Sequence, residues 1–74
     1  MSKPLANEAL ETIAQAASRI LATDGKAMAT QYVYGALEAQ GLFDMAHPKR
    51  SKIKQWEIFA LADRSMFLSQ QIAP

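Results

Sequence analysis

Residues 47–54 read HPKRSKIK, and half of these side chains, Lys49, Arg50, Lys52 and Lys54, are basic with no acid among them. Several cations held close together raise the local positive potential and suit phosphate or carboxylate oxygens. The rest of the chain sets Lys3, Arg19, Lys26 and Arg64 against seven acidic residues, so it carries −3 while residues 49–54 carry +4. The net charge is only +1, but it is gathered in one place. Two readings follow from charge alone: a contact for an anionic partner, or a loop kept polar for solubility.

The one histidine, His47, stands three residues after Asp44 and four before Ser51. An Asp–His–Ser trio within a single loop lacks the separate elements that hold a catalytic triad in register. His47 is therefore read as an exposed loop residue. One histidine with scattered carboxylates and no cysteine does not form a metal cage. Gly25, Gly35 and Gly41 are isolated and make no phosphate-cradling loop. Neither a metal nor a cofactor is expected, and the chain is not read as an enzyme.

The elements that must position the basic segment belong to one small domain, residues 1–74. A chain of this length buries only about 60% of its unfolded surface, and it has no disulfide to compensate. Half of its residues are apolar, which suits a folded domain rather than a disordered one. The opening MSKPLANEAL contains no apolar run of signal-peptide or membrane-span length, so a soluble, cytoplasmic protein without a membrane partner is expected.

The expected fold is mainly α. Leu5, Ala9, Leu10, Ile13, Ala16, Ala17, Ile20 and Leu21 recur at three- and four-residue spacing, predicting an amphipathic helix over about 5–23. Ser2 or Asn7 can cap its start, and Gly25 stops it. A second helix is predicted over 27–40 and ends at Gly41. Met28, Ala29, Tyr32, Val33, Ala36, Leu37 and Ala39 give it a wide apolar arc, opposite a narrow stripe of Ala27, Thr30, Gln31, Tyr34 and Glu38. Gly35, in mid-helix, is read as a position where the first helix approaches closely.

Residues 42–74 admit two readings. Pro48 disfavours helix at His47. Beyond it, Trp56, Ile58 and Ala60 alternate with Phe59 and Leu61, as in a strand rich in Trp, Ile and Phe. The same stretch is also composed of good helix formers. The basic loop is thus followed either by a β-hairpin wing and a short helix, or by a third helix in an all-α three-helix domain.

The run VYGALEAQGLFDMAHPKRSKIKQWEIFALAD resembles the second half of winged helix-turn-helix DNA-binding domains. Leu37-Glu38-Ala39-Gln40-Gly41-Leu42 matches the leucine–charged–x–x–Gly–apolar end of a recognition helix, with HPKRSK as a wing tip and KQWEIFAL as a returning strand. The resemblance covers about residues 33–63 through a loose pattern. It implies double-stranded DNA as partner and a role in transcription regulation. Helix 27–40 would face bases through Thr30, Gln31 and Tyr34, while Lys26, Lys49, Arg50, Lys52 and Lys54 would meet phosphates. So small a DNA-binding domain would act as a dimer.

The alternative is a protein-binding adaptor or inhibitor that docks on a larger protein. Trp56, Phe59, Met66 and Phe67 belong to a surplus of large apolar side chains competing for a small interior. Trp and Met are enriched at protein interfaces. These residues are the candidate protein interface, and the basic segment would then meet an acidic surface. A homodimer interface accounts for the same rings.

Overall fold

The computed structural model describes residues 3–72. Asn7 sets the start of the first helix: its Oδ1 accepts from the backbone N–H groups of Ala9 at 2.9 Å and Leu10 at 3.4 Å. Helix α1 then runs Glu8–Asp24. It begins three residues later than the apolar spacing predicts, because Asn7 takes the extended conformation of an N-cap. Leu5 precedes the helix and donates its N–H to Glu11 Oε1 at 3.0 Å. Ser2, the other candidate cap, lies outside the described residues.

A single residue joins α1 to α2, Lys26–Ala39. Gly25 has φ of 95°, a conformation open to glycine. Its N–H donates to Ile20 O, and its own carbonyl accepts from Ala29, so one residue ends one helix and opens the next. At the far end of α2, Gly41 has φ of 73° and donates to Glu38 O, while Leu42 donates to Leu37 O at 2.9 Å. These two bonds form a Schellman motif, and they turn Leu42 inward to pack on the core.

The connection that follows is short and fastened. Ile53 donates to Leu42 O at 3.0 Å, and a one-turn 3-10 helix spans Pro48–Arg50. Helix α3 then spans Gln55–Ile72. Glu57 explains its start: the carboxylate reaches back to the Lys54 N–H at 3.0 Å, the N3 half of a capping box. Residues 55–61 are therefore helical, and no strand forms among the described residues. The protein is the all-α three-helix alternative, and the hairpin wing is not formed.

Helix α1 lies at the centre. Both α2 and α3 pack on it, whereas they make no backbone approach to each other. Leu10, Ile13 and Ala14 of α1 form one buried cluster with Leu37, Ile53 and Leu61. Ala17 is also fully buried. Small residues at the middle of α1 let the two flanking helices come close. Two expectations for α2 are corrected. Its inward face is narrower than the apolar arc, comprising Ala29, Val33, Ala36 and Leu37, and Met28, Tyr32 and Ala39 are exposed. Gly35 also points outward, and a Cβ there would meet nothing within 4 Å. It is not a close-approach position. Among the described residues, no helix is long and apolar enough to cross a membrane.

Candidate interaction surface

The basic segment is displayed on a turn built by its neighbours. Asp44 Oδ1 accepts from the N–H groups of Ala46 and His47, both at 3.0 Å. The Asp44 N–H donates to Ser51 Oγ at 2.9 Å, clamping the two ends of the turn together. His47 Nδ1 lies 3.7 Å from Asp44 Oδ2. The sequence trio Asp44, His47 and Ser51 is therefore brought together, but as turn chemistry: Asp44 organises backbone donors, and the serine oxygen accepts from backbone. Lys49, Arg50, Lys52 and Lys54 are all exposed, and among the described residues none of the four is ion-paired.

Along the polar stripe of α2, Ala27, Thr30, Gln31 and Glu38 are exposed and Tyr34 is half-buried. Gln31 faces solvent. Lys26 and Thr30, also exposed, border with Tyr34 an apolar groove of about 370 Å³ between α2 and α3. Thr30 Oγ1 donates back to Lys26 O at 2.8 Å. The Tyr34 ring is half-buried and tilted against Phe43, with centroids 4.9 Å apart.

The four aromatic and methionine candidates of α3 separate into two stripes. Phe59 and Met66, 62% and 54% exposed, form a lip of the groove. Trp56 and Phe67 do not line it. They stand eleven residues apart, three helical turns, and so share the outward stripe of α3. Phe67 is half-buried, with the Arg64 guanidinium carbon 5.8 Å from its ring centroid. Trp56 is 66% exposed and follows Lys52 and Lys54 by four and two residues.

Sequence reasoning missed two features. The floor of the groove comes from α1, where Ala17 and Leu21 lie between Ala29 of α2 and Ala62 of α3. Small residues on all three helices were its signal. The second is the ion pair of Glu11 with Arg64, whose Nη2 lies 2.9 Å from Glu11 Oε2. The hydrogen bonds from Arg64 hold the Glu11 carboxyl at about 2, below its ordinary 4.5, with the Leu5 N–H and Gln15 adding to the effect and burial opposing it. The same carboxylate holds the Arg64 guanidinium above its ordinary value.

No protein-family model matches the chain, and neither a curated protein nor a solved structure matches it significantly.

Proposed function

We propose that the protein is a small helical adaptor that docks on an acidic surface of a larger protein through Trp56 and the basic segment. The observation that carries this reading is the exposure of Trp56 two to seven residues after four exposed cations in the chain. A monomeric domain normally turns such a ring inward, and Trp is among the residues enriched at interface hot spots. The cations around it would steer an acidic partner and fix its register, while the indole supplies buried area. The helical state of residues 55–61 further supports docking, because it places Trp56 on a rigid helix directly after the basic turn.

Duplex DNA is the second reading, favoured by the unpaired state of Lys49, Arg50, Lys52 and Lys54. It draws less from the geometry, since no hairpin wing forms around these cations among the described residues and Tyr34 is half-buried.

One experiment separates the two. The protein is immobilised, a partner is captured from cell extract and purified, and binding is followed by emission of the single tryptophan. Docking shifts that emission to the blue, and Trp56→Ala and the combined Lys49→Ala, Arg50→Ala, Lys52→Ala variant each lose the partner while keeping the helical circular dichroism. Tight binding to arbitrary duplex DNA, falling steeply with salt and flattened by the triple variant, would instead establish the nucleic-acid reading.

A further inference from the structure

We infer that the recess formed by Tyr34, Phe43, Met45 and Pro48 takes one apolar side chain from a short acidic segment of the docked partner, whose flanking carboxylates meet Lys49 and Arg50. This rests on the docking reading above and adds the chemistry of what docks.

The recess is built where the end of α2 meets the connection to α3. Tyr34 comes from the helix, and Phe43, Met45 and Pro48 come from the connection. Tyr34 and Phe43 are half-buried, and their rings are tilted by 58° with centroids 4.9 Å apart, so they make a corner rather than a flat platform. Met45, 56% exposed, and Pro48 add the remaining sides. These side chains offer one hydroxyl, that of Tyr34, and are otherwise apolar. The volume is about 260 Å³, below the about 300–1,000 Å³ of small-molecule sites, so the recess suits a single side chain. Its shape is set beforehand. Asp44 accepts from the N–H groups of Ala46 and His47 and donates its own N–H to Ser51, which holds the chain on both sides of Met45. Methionine then supplies an adaptable wall, because its unbranched thioether fits apolar groups of varied shape.

The charge at the rim identifies the occupant. Pro48 is a wall of the recess and also the first residue of the 3-10 turn Pro48–Arg50. Lys49 and Arg50 complete that turn, and consecutive Cα atoms are about 3.8 Å apart, so both cations leave the chain within about 8 Å of the wall. Both are exposed, and among the described residues neither is ion-paired. The one acid of this connection, Asp44, is engaged by the N–H groups of Ala46 and His47. An apolar hollow with two such cations at its edge complements an apolar residue flanked by carboxylates. A nucleotide carries the same sign of charge, but base stacking needs an open ring face, and Tyr34 and Phe43 are half-buried and tilted against each other.

The test uses blocked, fluorescein-labelled heptapeptides, six glutamates around a central leucine or a central alanine, titrated with the full chain and followed by anisotropy. The leucine peptide should bind about tenfold more tightly, as expected for partly burying one leucine side chain. Met45→Ser should remove that preference and leave the affinity for the alanine peptide as it was. Met45 lies outside the helices and is exposed, so this variant keeps the helical circular dichroism. The combined Lys49→Ala, Arg50→Ala variant should weaken both peptides by the same factor and keep the preference. Equal binding of the two peptides, or none by either, would overturn the inference, and so would a preference that survives Met45→Ser. An oligothymidine that binds more tightly than both peptides, and loses that affinity in Met45→Ser, would overturn it as well and give the recess to a base. The captured partner separates this inference from the docking reading. Loss of the partner with Trp56→Ala but not with Met45→Ser keeps docking at Trp56 and removes the recess from it. Loss with Met45→Ser but not with Trp56→Ala keeps the recess and ends the Trp56 reading.

Discussion

Glu11 and Arg64 stand 53 positions apart and meet side-on: Arg64 Nε lies 3.0 Å from Oε1 of the carboxylate, and Nη2 lies 2.9 Å from Oε2. The pair joins α1 to α3 where both side chains are largely buried. Glu11 also accepts from the Leu5 N–H, so one carboxylate ties the segment before α1, α1 itself and α3 together. The guanidinium spans from this carboxylate to the Phe67 face. Arginine suits such a position because its planar fork satisfies two oxygens at once while its face stacks on a ring.

Glu11→Gln should therefore destabilise the fold in a pH-dependent way. Glu11 holds its proton more weakly in the folded chain, at about 2 against 4.5. A depressed folded value contributes stability that is fully present above the unfolded value and is lost as pH falls. At neutral pH the variant should melt about 5–10 °C lower, the shift that 1–2 kcal/mol gives in a domain this small. The gap between the two proteins should close as pH falls from 4.5 toward 2. Thermal melts at several pH values measure both effects. A gap of constant size would show that ionised Glu11 is not its source.

Gly35→Ala should stabilise the protein. The glycine lies in the interior of α2, is exposed, and has open space where a Cβ would go. Alanine is favoured over glycine in a helix interior by about 1 kcal/mol, and it also lowers the entropy of the unfolded chain. The melting midpoint should rise by about 4–8 °C. A fall instead would mean that something packs against that face of α2.

The first two helices were legible because periodicity and punctuation agreed. The apolar spacing of α1 matches one buried face, and Gly25 and Gly41 stand where positive φ is needed. The third helix was masked by its own surface. Trp56 and Phe59 lie outward while Ile58 and Leu61 lie inward, so apolar residues surround the helix and mimic a strand's alternation. Glu57, three residues after Lys54, was the local mark of a helix start. The groove could not be read in this way, since it depends on the angle at which α2 and α3 leave α1. The Glu11–Arg64 pair was equally hidden, because charge alone gives no register between helices so distant in sequence.

The turn that displays the basic segment should loosen when its acceptor oxygens are removed. Asp44→Ala frees the N–H groups of Ala46 and His47, and Ser51→Ala frees that of Asp44. Each change should speed amide hydrogen exchange at the freed positions and cost about 1 kcal/mol, because water partly replaces the lost partner. The helices should keep their exchange protection, since Leu42 and Ile53 still close the loop through a separate bond. Unchanged exchange at residues 44, 46 and 47 would show that the turn is held by packing alone.

Trp56 offers a direct reading of the surface around it. The ring is 66% exposed and stands outside the groove, so its emission should be that of a solvated indole. Lys52 and Lys54 precede it by four and two residues, and the nearest acid in sequence, Glu57, is engaged with the Lys54 N–H. A local positive potential concentrates anions and repels cations within about a Debye length. Iodide should therefore quench Trp56 more strongly than caesium at equal ionic strength. Replacing both lysines, Lys52→Glu and Lys54→Glu, should reverse that order and, on the proposed docking function, weaken capture of an acidic partner in parallel. Equal quenching by the two ions would mean that the cations do not shape the field at the indole, and an acidic partner would then have no reason to choose this face.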